Sequence, residues 1–192
     1  MILKSVVAEA EKSGARYIVD KSGAVYAVDP PETMFGYLYF AHMIPPEKPG
    51  HTLILGYGHG TVAELIRKVW GQCKITGVDL YGYQKRDAYL EYKMELSDAK
   101  QFVWEATDSI IKKKYDYISI DLWEGKKVPD FVFDVEFAVR LREMARKYIC
   151  FNLAATDLDR MKPYYDYGFS FDRNVPIEGN QVTWWSVNEK ET

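Results

Sequence analysis

Three glycines at alternate positions, Gly56, Gly58 and Gly60, are followed in the chain by acids at Asp79, Asp98 and Asp121. Glycine tolerates positive φ and close backbone approach, so a glycine turn opening a helix can face a ligand with bare N–H groups. A carboxylate about 20 residues further on can accept both hydroxyls of a ribose. That is the spacing of Asp79, with Leu80 beside it. Asp98 offers an acceptor for an adenine amino group and Ala99 an N–H for a ring nitrogen, although the same aspartate could simply cap the helix that begins there. Asp121 lies in Ile-Asp-Leu-Trp-Glu-Gly, close to a second carboxylate, Glu124, and an aromatic, Trp123. It could take a proton from a nucleophile or fix a cationic amine, with Trp123 stacking on a purine or a cation. The alternative is a strand-end acid that holds its own loop. No Ser/His/Asp constellation is visible and the glycine turn lacks a lysine, which disfavours hydrolase and P-loop chemistry.

These groups matter only if strands deliver them to one rim. Thr52–Leu55 is a β-rich run ahead of the glycines, and Val62, Leu65, Ile66 and Val69 then fall on one face of a helix. Ile75–Val78 predicts a strand ending at Asp79, and Tyr92–Leu96 predicts the next. Ala99, Phe102, Val103, Ala106 and Ile110 form a helical face, with Asp98 and Gln101 resembling a capping box and Lys112–Lys114 closing the helix. Tyr115–Leu122 predicts a strand ending at Asp121. Pro129 and Asp130 start a helix with Phe131, Val135, Ala138 and Val139 on one face, and Lys147–Leu153 is a fifth strand. A shorter helix, Asp157–Tyr167, leads to an antiparallel pair, Phe169–Val175 and Gln181–Val187. Such alternation predicts a mostly parallel α/β sheet with a C-terminal antiparallel hairpin and helices on both faces. Its ligands would bind at the carboxyl ends of the strands, so the glycine turn, Asp79, Asp98 and Asp121 share one rim. Ahead of it, Arg16–Val28 predicts a small β-hairpin through Lys21-Ser22-Gly23, and Glu32–Ile44 a mostly buried helix. Tyr81–Glu91 reads as a short polar helix. Residues 1–50 are therefore expected to be an appendage, and 51–192 the ligand-binding domain.

A chain of 192 residues with 47% hydrophobic content suits one main core. The net charge of −3 announces no basic surface, so nucleic acid is not an expected partner. Cys73 and Cys150 have no metal spacing and His42, His51 and His59 form no pattern, so no metal is expected and both thiols should be reduced. The first residues are too few and too charged for a signal peptide, and no run approaches a membrane span. A cytoplasmic protein without a membrane partner is expected. The aromatic segment Met34–Phe40, which includes Tyr37, suits an acceptor pocket or a homodimer contact.

Taken together, the motifs resemble the polyamine aminopropyltransferase (spermidine synthase-like) branch of the class I S-adenosylmethionine-dependent methyltransferase fold. LILGYGHGTVAELI resembles its glycine motif, GVDL its ribose acid, SDAKQFV its adenine motif, and YDYISIDLWEG its acceptor-side strand. MFGYLYFAHMI and the Asn152-Leu153 pair fit the same pattern, from about Arg16 to Val187. The resemblance implies S-adenosylmethionine, or its decarboxylated form, bound by Gly56, Tyr57, Gly58, His59, Gly60, Asp79, Leu80, Asp98 and Ala99. It also implies Asp121 as the group that deprotonates an acceptor amine, with Tyr37, Trp123 and Glu124 on the acceptor side. The chain departs from the family at three places. His59 replaces the acid between the second and third glycines, and Tyr37-Leu38-Tyr39 stands where the family has Tyr-His-Glu. The family's acid-rich DSSDP loop is reduced to Asp121–Gly125. The simplest expectation is a small-molecule methyltransferase. Aminopropyl transfer and a non-catalytic binding or assembly protein that keeps the fold are the alternatives.

Overall fold

The computed structural model describes residues 16–19, 25–29, 39–58, 60–80, 92–108, 115–177 and 179–188. Outside these lie Tyr37, His59, Ile110, Lys112–Lys114, the expected helix at Tyr81–Glu91, the Lys21–Gly23 turn and most of the expected helix at Glu32–Ile44. Two short strands, β1 (Arg16–Val19) and β2 (Val25–Asp29), pair antiparallel as a separate sheet. Then come α1 (Tyr39–His42), β3 (His51–Leu55), α2 (Thr61–Trp70) and β4 (Lys74–Asp79). They are followed by β5 (Tyr92–Leu96), α3 (Ala99–Asp108) and β6 (Tyr115–Ile120). The chain ends with α4 (Val135–Met144), β7 (Ala145–Ala154), α5 (Lys162–Asp166), β8 (Phe169–Ile177) and β9 (Asn180–Val187).

The main sheet has seven strands in the order β5-β4-β3-β6-β7-β9-β8. Pairing is parallel from β5 through β7, and antiparallel for β7–β9 and β9–β8. The chain leaves β3 toward β4 on one side and returns to β6 on the other. The crevice above the carboxyl end of β3 is therefore the switch point, where such sheets bind ligands.

Side chains alternate between the faces of a strand, so each strand feeds two cores. Leu53, Leu55, Ile118, Ile120, Ile149, Phe151 and Trp185 pack with Val103 of α3, Phe137 and Leu141 of α4, and Tyr164 of α5. Ile54, Tyr117, Cys150 and Trp184 face the other way, onto Phe40 of α1, Met43, and Val62, Leu65 and Ile66 of α2. Helices thus cover both faces, as expected. On the second face, Tyr117 Oη donates to the Met43 carbonyl at 2.5 Å and Trp184 Nε1 to the His42 carbonyl at 2.8 Å. Their rings stack at 5.3 Å. This pair docks the end of α1 onto the sheet.

Local phases differ from the sequence pattern in several places. Val69, at the last turn of α2, is 44% exposed, and Thr61 and Ala63 are buried in its place. The expected single helix from Pro129 is a 3₁₀ turn over Asp130–Phe133 and then α4, because Asp134 is extended at φ −76° and ψ 142°. That break resets the helical phase. Val135 is consequently exposed, and Phe137, Ala138, Leu141 and Met144 make the buried face. The Asp157–Tyr167 segment is likewise a 3₁₀ turn, Leu158–Met161, joined to α5. Both cysteines are free thiols. Among the described residues no helix is long and apolar enough to cross a membrane.

Candidate functional site at the strand ends

The three glycines close β3 with positive φ, at 82°, 52° and 81°. The first is enforced by packing. A Cβ on Gly56 would lie 2.1 Å from the Asp121 carbonyl oxygen, so glycine lets the ends of β3 and β6 approach. Gly56 and Tyr57 both donate their N–H groups to the Val78 carbonyl, at 2.9 and 3.0 Å, which ties the turn to β4. The Gly58 N–H donates to Asp79 Oδ2 at 2.8 Å. Here a Cβ would meet nothing within 4 Å, so the front of the turn is open. Leu80, next to Asp79, is 58% exposed at the same rim.

Tyr57, expected among the ligand-binding residues, lies within this turn. Its ring turns inward and is 9% exposed, filling the space where Cβ atoms on Gly77 and Gly60 would otherwise lie, at 2.2 and 2.7 Å. Its side chain supports the turn from below. Asp98 caps α3, its Oδ1 accepting from the Gln101 N–H at 3.0 Å. The reciprocal bond of a capping box, from the Asp98 N–H to the Gln101 side-chain oxygen, is not found among the described residues; Gln101 Nε2 donates to Glu105 Oε1 at 2.7 Å. Asp98 remains partly exposed beside buried Ala99, at the start of the helix that follows β5.

Asp121 follows β6 directly, its N–H donating to the Leu55 carbonyl at 2.9 Å. Three donors converge on its carboxyl. Oδ1 accepts from Asn152 Nδ2 at 2.9 Å and from Trp123 Nε1 at 3.2 Å; Oδ2 accepts from the Tyr39 hydroxyl at 3.0 Å. Burial pushes the Asp121 pKa up from 3.8 to about 6; hydrogen bonds from Asn152, Tyr39 and Trp123 pull it down and the Asp79 charge adds to the rise. The residue nonetheless keeps part of its surface open at the rim. A carboxyl near pKa 6, partly exposed and beside a glycine turn, is poised to exchange a proton at neutral pH.

Trp123 therefore bonds to Asp121 from the side. Glu124 stands apart, exposed on a tight turn in which its N–H donates to the Lys127 carbonyl at 2.8 Å, with Gly125 at φ 63°. Tyr39 and Asn152 complete the site, although neither stood out as a site residue in the sequence. The signals were an amide inside the apolar run KYICFNL, in the Asn152-Leu153 pair of the resemblance, and the place of Tyr39 in Tyr37-Leu38-Tyr39, where the family has Tyr-His-Glu. Among the described residues no group of His, Cys, Asp and Glu could hold a metal.

No protein-family model matches the chain, and no curated protein matches it in sequence. Solved structures do match. Human methyltransferase-like protein 13, in complex with SAH, superposes with a TM-score of 0.60 over 74% of this chain and 73% of its own, at 15% identity. The Methanococcus jannaschii fibrillarin pre-rRNA processing protein gives 0.57 over 91% and 83%, at 16% identity. A probable spermidine synthase from Corynebacterium glutamicum gives 0.56 over 71% of this chain and 55% of its own, at 20% identity. These likenesses show the fold, and with the strand order they make it a Rossmann-like class I methyltransferase fold.

Proposed function

We propose that this chain is an S-adenosylmethionine-dependent transferase, most simply a methyltransferase acting on a small-molecule acceptor. The observation that carries the reading is the Gly58 N–H bonded to Asp79 Oδ2 at 2.8 Å, within a positive-φ glycine turn at the switch point of the sheet. The residues present fit an adenosyl group. Gly58 leaves open space before the turn, and exposed Leu80 offers an apolar surface that a purine would cover. Asp79 would hold the ribose hydroxyls, Asp98 and Ala99 the adenine edge, and the backbone of the glycine turn the remainder. The complex of methyltransferase-like protein 13 with SAH supports the same choice of ligand.

When bound, S-adenosylmethionine supplies an electrophilic carbon on a sulfonium. The chain's own residues orient the acceptor and manage its proton. Asp121, ionised in most molecules at pH 7, accepts a proton from an acceptor N–H or O–H. Tyr39 holds Oδ2 in place, while Trp123 and Asn152 hold Oδ1. By the family resemblance alone, Tyr37 and Glu124 would also serve the acceptor. Binding donor and acceptor at one rim would supply alignment, which lowers the barrier to a direct displacement.

A carboxylate framed by aromatic rings also suits a cationic amine, and that favours aminopropyl transfer from the decarboxylated donor as the second reading. The two separate by product. Incubation with each donor and a panel of primary amines, followed by chromatography, should yield S-adenosylhomocysteine from the intact donor. Methylthioadenosine from the decarboxylated donor alone would establish the second reading. Neither product, with donor binding retained, would leave a binding or assembly protein that keeps the fold.

A further inference from the structure

Asp121, just past the end of β6, and Asn152, within β7, lie side by side, one residue beyond the Ile120↔Phe151 pair of the two strands. An ionised carboxylate can only accept, so Asn152 must present its Nδ2 to Asp121, and its Oδ1 then faces away. That Oδ1 accepts from Asn180 Nδ2 at 3.1 Å, and Asn180 opens β9 beside the turn at Gly179. Asn180 pairs with Ala154 on one side and with Ile177 on the other, so its backbone is anchored in the sheet. One line of hydrogen bonds thus runs from the β8–β9 hairpin through two amides to the acid at the rim.

We infer that Asn180 and Asn152 form an amide relay that positions the Asp121 carboxyl, making both of them positioning residues for the proton-accepting step. Asn180 fixes which way the Asn152 amide points, and only that orientation aims N–H, rather than C=O, at the carboxylate. A reversed Asn152 would place two acceptors against each other and drive Asp121 toward its protonated form. Among the described residues, the titratable groups that act on Asp121 are few. Tyr39 comes from α1, Asp79 from β4, and Tyr117 and Cys150 lie further down the same face on β6 and β7, both held protonated by burial. Asp79 opposes ionisation, so the amide donors matter more. The inference rests on Asp121 being the acceptor-side base, and its test is read on the carboxyl itself, so the two can fail separately.

Carbon-13 carboxyl NMR on the whole protein, with the Asp121 signal assigned by its loss in Asp121→Asn, should titrate near pH 6 in the unsubstituted chain. Asn152→Leu should raise the midpoint by about one pH unit, the value of one hydrogen bond to a charged group. Asn180→Ala should move it in the same direction by less, with S-adenosylmethionine affinity within about twofold of the original. In the Asn152→Leu background, Asn180→Ala should add nothing, because the relay is already cut. An unmoved midpoint in Asn180→Ala, or an additive shift in the double variant, would overturn the relay. Should Asn152→Leu fail to fold, Asn180→Ala alone decides. Loss of donor binding with the midpoints behaving as expected would instead sink the transferase reading.

Discussion

Replacing Asp121 by Asn should stabilise the protein at pH 8 while removing its chemistry. The folded carboxyl has a pKa of about 6 against 3.8 for the ordinary value, so the native state holds its proton more tightly than the unfolded chain does. Between about pH 4 and pH 6 the native state therefore binds more protons, and stability contributed by this group falls as pH rises through that window. Above the window the full penalty applies, about 3 kcal/mol for a shift of roughly two units. An asparagine carries no charge to desolvate. Its Oδ1 can keep the donors from Asn152 and Trp123, and its Nδ2 can turn to Tyr39, whose hydroxyl accepts instead of donating. The variant should be more stable than the parent by about 2–3 kcal/mol at pH 8 and by under about 1 kcal/mol at pH 4. For a chain of this size that corresponds to a rise in Tm of about 5–10 °C at pH 8. Urea unfolding of both proteins across pH 4–8 measures it, and the difference curve cancels every other titrating group. A flat difference, or a variant less stable at pH 8, would refute the argument that burial dominates at Asp121.

Two further expectations come from the same rim. Gly56→Ala should cost more than about 3 kcal/mol, because positive φ and a 2.1 Å approach to the Asp121 carbonyl both oppose a Cβ. Gly58→Ala meets only the φ of 52° and should cost about 1 kcal/mol, yet weaken donor binding by filling the open front of the turn. Denaturation and calorimetry on the pair would show it, and equal destabilisation would count against the contrast. Tyr39→Phe removes a donor from Asp121 Oδ2, so the acid limb of kcat/KM against pH should move upward from about 6 by roughly one unit. An unmoved limb would detach Tyr39 from the proton-accepting step.

Much of the frame was legible because the central strands β3, β4 and β6 are short, largely apolar runs bounded by polar or glycine punctuation. Runs such as Thr52–Leu55 and Ile75–Val78 gave the order of elements and put Asp79 and Asp121 at strand ends, where the structure has them. Backbone breaks were harder to see. Nothing in Asp130–Phe133 announces that Asp134 is extended, so the buried face of α4 was displaced in the sequence reading. Tyr57 shows a related difficulty: nothing local announces that its ring packs against Gly77, a glycine inside a strand whose missing Cβ marks a close approach. The Asp121 cluster depends on contacts 82 residues away at Tyr39 and 31 away at Asn152, and no periodicity encodes such partners.

The central claim, a nucleoside site built on the glycine turn and Asp79, is most directly tested by calorimetric titration of S-adenosylmethionine into the unsubstituted chain and into Asp79→Ala. The account predicts saturable binding to the first and at least about a tenfold loss in the second, the value of about 1.4 kcal/mol. No binding to the unsubstituted chain at millimolar donor, or equal affinity in the variant, would contradict it.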